Sequence, residues 1–315
     1  MNYNIDILLS TYNGEKHLPD LLESILKQTV NEFRLIVRDD LSTDNTINIL
    51  KKYESRFKDI KMIFGDENIG PAKSFSYLLK ETDADYIFLC DQDDIWLDTK
   101  IASLLSKIKR YENNYGKDKP ILAHSDLFIT DEKLDIISPS YYVFMGHSPK
   151  RNRPYQIALQ NNVVGCSVAF NRALIKKAIP TPEEIVMHDW WLALVASMSG
   201  KILFEPTPLV LYRQHESNTV GAKKTQNYLK RLSKLLPWAD NKNFTKYIDK
   251  VMMQTEIAFT RYQFDTSVEN ADKLDKLLLI RDLTFLPRAI HILSESFFRH
   301  TLLESLELIF RYRPN

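Results

Sequence analysis

Asp91-Gln92-Asp93-Asp94 packs three carboxylates into four residues. Like charges at that spacing repel, and a hard divalent cation bound through oxygen offsets the repulsion. Mg²⁺ or Mn²⁺ so placed can bridge protein carboxylates and a diphosphate. The plainer alternative is a solvated acidic turn or a cap for the segment from Ile95 onward. A second polar cluster is Arg38-Asp39-Asp40-Leu41-Ser42-Thr43-Asp44. A carboxylate there can accept a hydrogen bond from a pyrimidine ring N–H. Asp44, with Ser42 or Thr43, suits helix capping, a role that absorbs Asp39 and Asp40 less easily. The third cluster is Ser10-Thr11-Tyr12-Asn13-Gly14. Its tyrosine offers a face to a base and its Asn-Gly a turn; taken alone, a plain turn explains it more simply.

Asp189 stands in His188-Asp189-Trp190-Trp191. Apolar neighbours can desolvate its carboxylate and raise the pKa toward working pH, as a general base requires. It also precedes a helical stripe, where an N-cap is the ordinary use. Trp190 and Trp191 divide between core packing and the floor of a sugar site. His215 can complete a metal shell or touch a pyrophosphate, and Arg213 can pair with phosphate; a polar surface loop is the alternative for both. His124 and His147 read as structural. Asn161, Asn162 and Gly165 are candidates for an acceptor side, the glycine because it lets backbone come close.

The elements needed to position these groups are legible in the hydrophobic pattern. Apolar runs at Ile5 to Leu9, Phe33 to Val37, Ile60 to Phe64 and Tyr86 to Leu89 predict strands. Between them, apolar residues recur at helical spacing: Leu18, Leu21, Leu22, Ile25 and Leu26, then Ile47, Leu50 and Tyr53, then Phe75, Leu78 and Leu79. Gly70-Pro71 opens the last of these helices. Such alternation predicts an α/β fold with a mainly parallel sheet flanked by helices. Ligands of such sheets collect at the carboxyl ends of the strands, where all three N-terminal polar clusters fall. Further on, Ile101 to Tyr111 and His188 to Ser199 read as helices. Ile121 to Ile129, Val163 to Phe170 and Leu209 to Tyr212 read as strands. Glycine is absent from Ala222 to Asn315. That stretch predicts a helical C-terminal subdomain, residues 222–315, beside a catalytic domain of residues 1–221.

Forty-two basic and 41 acidic residues leave a net charge of +1. That balance gives no global attraction to nucleic acid. Cys90 and Cys166 lie in apolar runs and read as buried thiols. No apolar run approaches the ~20 residues that span a bilayer, and the N-terminus lacks the pattern of a signal peptide. A cytoplasmic location is expected. Phe297-Phe298-Arg299-His300 and Phe310-Arg311-Tyr312-Arg313 suit helix packing or subunit contact first, and peripheral contact with a membrane surface second.

Taken together, Ser10-Thr11-Tyr12-Asn13, Asp39-Asp40-x-Ser42-x-Asp44, Asn68-x-Gly70, Asp91-Gln92-Asp93-Asp94 and His188-Asp189-Trp190-Trp191 resemble the inverting family 2 glycosyltransferases of the GT-A fold. The resemblance covers residues 1 to about 220. With Tyr212-Arg213-Gln214-His215, the pattern is similar to bacterial rhamnosyltransferase-like members that build surface polysaccharides. It implies a UDP- or dTDP-sugar donor and a glycan or lipid-linked acceptor. It implies that Ser10, Tyr12 and Asp40 hold the base, and that Asp91 faces the ribose or the metal. Asp93 would ligate Mn²⁺ or Mg²⁺, and Asp189 would be the base. Leu41 departs from the family, which often has glycine there. A sugar-1-phosphate nucleotidyltransferase would need a glycine-rich loop near the first strand, where only Gly14 stands. An inactive nucleotide-sugar-binding or scaffolding protein is the other reading, and Asp93 together with Asp189 argues against it.

Overall fold

The computed structural model describes residues 4–215, 235 and 241–314. The strands are β1 (Ile5–Thr11), β2 (Arg34–Asp39), β3 (Ile60–Phe64), β4 (Tyr86–Asp91), β5 (Ile95–Trp96), β6 (Ile121–Thr130), β7 (Ile136–Ser138), β8 (Val168–Asn171) and β9 (Lys201–Arg213). They form one sheet in the order β3-β2-β1-β4-β8-β6-β9-β5, with β7 added to β6. The first four strands are parallel, as the alternation predicts. The sheet then becomes mixed: β8 runs antiparallel to both β4 and β6, and β9 parallel to β6. Only the first half of the chain alternates strand and helix strictly, so only that half must be parallel.

Helices cover both faces. They are α1 (Leu18–Leu26), α2 (Thr46–Tyr53), α3 (Gly70–Glu81), α4 (Lys100–Tyr115), α5 (Tyr141–Met145), α6 (Pro154–Leu159), α7 (Arg172–Ala178) and α8 (His188–Ser199). The chain continues with α9 (Lys242–Tyr262), α10 (Val268–Leu278), α11 (Phe285–Ser294) and α12 (Leu302–Arg311). Strand residues alternate between two cores. Ile7, Leu9, Leu35, Val37 and Phe88 pack with α1 and α4, whereas Leu8, Ile36, Ile87 and Leu89 pack with α3 and α8. Helix α8 is apolar almost all round, which marks a helix enclosed on all sides. Its neighbours are α3, α6, α7 and α9. The C-terminal helices thus share the core of the sheet, with Ile248, Val251 and Met252 of α9 in the same cluster as Leu8 and Ile87. The expected division after residue 221 falls outside the described residues.

Three local expectations change. The strand expected over Val163 to Phe170 is a 3₁₀ turn at Gly165–Ser167 followed by β8. Asp44 does not cap α2 in the usual position, which Asn45 occupies; its carboxylate instead accepts from the Thr46 and Glu15 N–H groups at 3.0 Å each. Leu41, where glycine is common, takes φ +68°. This left-handed backbone costs an L-residue about 1–2 kcal/mol, and the Asp39 carboxylate holds the turn by accepting from Ser42 N and Oγ at 2.9 and 2.6 Å.

Gly200 closes α8 and leads into β9. A Cβ there would lie 1.9 Å from the Pro120 carbonyl oxygen, and backbone cannot yield as a flexible side chain can. Gly200→Ala is therefore expected to destabilise the fold by about 3 kcal/mol, read as a lowered urea midpoint. At Gly116 a Cβ meets open space, but φ +90° with ψ 155° is a backbone essentially confined to glycine, and alanine there should cost about 2–3 kcal/mol.

Candidate active site

The carboxyl ends of β2, β1 and β4 lie side by side. Ser10 is level with Arg38 on one neighbour and with Asp91 on the other. This register carries the three polar clusters to one edge. The loops after the strands are tied to each other by side chains. Gln92 clamps the Tyr12 backbone, accepting from its N–H at 2.8 Å and donating to its carbonyl at 2.9 Å. Asn13 N donates to Ser42 Oγ at 2.9 Å, and Thr43 N to Asn13 Oδ1 at 2.8 Å. The exposed Tyr12 ring stands at this edge. Ser10 Oγ meets Ser74 Oγ at 2.7 Å.

Two strand ends handle negative charge differently. Asp40 is buried, pairs with Arg38, and accepts from the N–H groups of Ile69 and Gly70 at 3.1 and 2.7 Å. Asp39 accepts from Thr11 Oγ1 at 2.9 Å besides Ser42. Both are satisfied within the chain. The Asp91–Asp94 turn is not. Burial, then the charges of Asp93 and Asp189, push the Asp91 carboxyl up to about 7. Burial, then Asp93 and Asp91, push Asp94 well above the usual carboxylate range, against the Cys166 thiol and the Arg213 N–H, which favour its ionised form. Asp93 Oδ2 lies 2.8 Å from His215 Nε2, so the two expected metal ligands meet. Asp91, Asp94 and Cys166 also bring ligand atoms within 4.8 Å of one another. Burial keeps that thiol protonated, and hard Mg²⁺ or Mn²⁺ prefers oxygen. The carboxylates of Asp91, Asp93 and Asp94 are the donors of the type such an ion takes.

Beneath this turn lies Lys100, which the motif reading did not include. It is fully buried, donates to the Cys166 carbonyl at 2.6 Å and sits 3.3 Å over the Trp96 ring. Burial lowers its pKa to about 8, so at neutral pH it is mostly charged below the carboxylates.

Asp189 stands in the first turn of α8. Burial raises its carboxyl to about 6, against hydrogen bonds from the backbone of Trp190 and Gly165 and the side chain of Asn161; the Trp190 N–H donates at 2.6 Å. Its charge reaches Asp91 across the cleft. Trp190 and Trp191 flank it in sequence but not in the cleft. Both indoles are buried, with Nε1 donating to Ile157 O at 2.7 Å and Ala178 O at 2.9 Å. The expectation that one of them floors a sugar site gives way to core packing, because α8 is enclosed. Arg213 is also engaged: its guanidinium bonds Asp20 Oδ2 at 3.0 Å and His17 Nδ1 at 3.0 Å, and its N–H donates to Asp94 Oδ1 at 3.1 Å. It joins β9 to α1 and to the acidic turn.

Residues 6–179 match the model of the family described as Glycosyl transferase family 2. The chain belongs to that family. It is 29% identical over 250 residues to the dTDP-rhamnosyl transferase RfbG of Shigella flexneri, covering 77% of this chain and 83% of that protein. It is 25% identical over 162 residues to a putative teichuronic acid biosynthesis glycosyltransferase, TuaG, of Bacillus subtilis, covering 51% and 59%. Among solved structures, S. aureus TarS 1-349 in complex with UDP aligns with TM-score 0.59 at 19% identity, over 91% of this chain and 73% of that one. A mannosyltransferase of Pyrobaculum calidifontis, with GDP-Man and Mn²⁺, aligns with TM-score 0.50 at 12% identity, over 98% and 87%. The sheet and its helices are thus those of the GT-A fold, and this family 2 glycosyltransferase uses a nucleotide-sugar. Among the described residues no helix is long and apolar enough to cross a membrane.

Asp189 has a native pKa above its ordinary 3.8, so the folded chain holds this proton longer than the unfolded one. Stability from that source is present at acid pH and is lost as pH rises through about 6. Asp189→Asn should therefore raise Tm relative to the parent at pH 8, and the gain should shrink toward pH 4. Thermal unfolding across that range reads the difference.

Proposed function

We propose that the chain catalyses inverting, metal-assisted transfer of a sugar, rhamnose, from a nucleoside diphosphate to an acceptor hydroxyl in surface polysaccharide assembly. The observation that carries the reading is the closeness of two acidic groups: Gly165 lies against the Asp189 carboxylate and its neighbour Cys166 against Asp91 and Asp94, and the Asp189 charge raises the Asp91 carboxyl. Rhamnose is favoured by a relative aligned over 77% of this chain and 83% of its own length, a dTDP-rhamnosyl transferase. Polysaccharide assembly is favoured by the teichuronic acid relative.

In this reading Tyr12 stacks on the base, with Ser10 and Asp40 beneath it. Asp40 acts through the α3 N-terminus it anchors, because its oxygens are already bonded. Asp91, Asp93 and His215 would hold Mn²⁺ or Mg²⁺. A divalent ion there supplies Lewis-acid stabilisation of the charge developing on the departing diphosphate. Asp189 accepts the proton of the acceptor hydroxyl. The acceptor oxygen forms its bond to the anomeric carbon as the bond to the diphosphate oxygen breaks, and that oxygen keeps the electron pair. Attack from the side opposite the leaving group inverts the anomeric centre. A carboxyl at about 6 is ionised at neutral pH yet basic enough to share a proton in the transition state. Activity is expected to fall as pH drops through that value.

The test begins with calorimetry of UDP-, dTDP- and GDP-sugars with Mn²⁺ or Mg²⁺, followed by detection of released diphosphate. A dTDP-sugar should bind in a metal-dependent manner, and the product should have the anomeric configuration opposite to the donor's. Asp93→Asn should weaken metal-dependent binding by tenfold or more. Asp189→Asn should keep donor binding and lose ~10²–10⁴ in transfer rate. Donor binding without turnover in the parent would instead identify a scaffold of the same fold. A fully active Asp189→Asn would remove it as base.

A further inference from the structure

Among the described residues Lys100 is the one lysine that is buried, and it is buried completely. Lysine is almost never enclosed without a paired charge, because a desolvated ammonium is costly. Here the contacts are neutral. Among the described residues the ammonium makes one hydrogen bond, to the Cys166 carbonyl at 2.6 Å, and sits 3.3 Å from the centroid of the Trp96 ring. Its charge reaches Asp91 and Asp94 through space. An ammonium placed to neutralise those carboxylates would be drawn onto their oxygens. This one is directed at a backbone carbonyl instead.

That carbonyl belongs to the 3₁₀ turn Gly165–Ser167, which stands between the two acidic groups of the site. On one side, Cys166 Sγ lies within 4.8 Å of carboxylate oxygens of Asp91 and Asp94. On the other, a Cβ at Gly165 would lie 3.6 Å from Asp189 Oδ2, and the Gly165 N–H favours the ionised Asp189 carboxylate. Ser167 N and Oγ both return to the Val164 carbonyl, at 2.9 and 2.8 Å, so these bonds close the turn on itself. The pairing of β8 with β4 and β6 holds the chain only from Val168 onward. Lys100 ties the turn from beneath, and its own footing is firm. Its N–H donates to the Leu97 carbonyl at 3.0 Å. Trp96 is fixed by pairing with Val210 of β9 and by donating its N–H to Ser24 Oγ at 3.1 Å.

We propose that Lys100 is a positioning residue for the transfer: its ammonium holds the Gly165–Ser167 turn, and through that turn the spacing between Asp189 and the Asp91–Asp94 turn. This deepens the proposed function and rests on Asp189 being its base. A charged donor holds a carbonyl more firmly than a neutral one. Reacting groups misplaced by about 1 Å lose on the order of 10²-fold in rate, so a tie remote from the substrate has a large effect on turnover.

The test compares the full chain with Lys100→Met, which keeps the length of lysine and lacks its N–H groups. Removing a desolvated charge offsets the loss of the donor to the Cys166 carbonyl, so Tm should stay close to the parent's. Calorimetry with dTDP-rhamnose and Mg²⁺ should give donor binding no weaker than the parent's. The kcat for release of dTDP should fall about 10–100-fold. A residue that only packed the fold would move Tm and donor binding together with the rate. Amide hydrogen exchange, followed by mass spectrometry without donor or metal, should quicken over residues 163–168 and stay unchanged over α4. Lys117→Met, exposed beyond the end of α4, should match the parent throughout. Trp96→Phe leaves a weaker ring under the ammonium and should lower kcat in the same sense by less; it carries the test if Lys100→Met does not fold. The parent's kcat in Lys100→Met, or unchanged exchange over residues 163–168, overturns the proposal. Full activity in Asp189→Asn, or a parent that releases no diphosphate from dTDP-, UDP- or GDP-sugars, overturns the proposed function instead. Exchange over residues 163–168 then still decides whether Lys100 holds the turn.

Discussion

The site depends on unbalanced negative charge where parallel strands end. Parallel pairing sets Ser10 level with both Arg38 and Asp91, and a slip of one residue would turn these side chains to the opposite face. At the β2 end the charge is closed internally, since Arg38 and two N–H groups at the start of α3 satisfy Asp40. At the β4 end the buried cation is Lys100, set against Asp91, Asp93 and Asp94. Raised pKa values at Asp91 and Asp94 express what remains uncompensated. Carboxylates that resist ionisation in isolation take up a divalent ion with release of protons. The same imbalance marks the turn as the candidate site for a cation.

How much of this was readable from residue order differs by element. The three strand-end clusters and α8 were legible because periods of two and 3.6 are strong over those lengths. Lys100 left a signal that the motif search passed over. It falls at i, i+4 and i+8 with Leu104 and Ile108, on the apolar stripe of α4, and a lysine there is either misplaced or functional. Gln92 looked like a spacer between acids; its clamp on Tyr12 spans 80 residues and needs the fold to exist. Leu41 hid a left-handed position that composition does not flag, because the turn is held by the side chain of Asp39. Trp190 and Trp191 misled for a related reason. Aromatic residues next to a catalytic acid suggest a sugar platform, yet α8 is enclosed and both rings belong to its walls.

The C-terminal helices show the limit more sharply. Amphipathic spacing says which face of a helix is apolar and nothing about which partner covers it. Absence of glycine after Ala222 suggested a body apart, whereas α9 and α10 pack on α8 and α6. The wall they complete contains Arg299 and Glu304, far from Asp189 in sequence. Gln160 ties it to the end of α6. Polar residues at a helix end carry no mark that separates a bridge between walls from an ordinary loop.

That enclosure bears directly on the chemistry of Asp189. Burial of α8 by α3, α6, α7 and α9 removes water from its first turn, which drives the carboxyl pKa up. Hydrogen bonds from Trp190, Gly165 and Asn161 favour the ionised form and pull it back, and the helix N-terminus acts in the same sense. Either influence alone would make a poorer base. An exposed carboxyl near 4 would hold a proton too weakly, and one desolvated without donors would stay protonated at neutral pH. Gly165 packs closely here: a Cβ there would lie 3.2 Å from His188 Nε2 and 3.6 Å from the Asp189 side chain. Helices remote from the motif thus shift the protonation of the carboxyl within it.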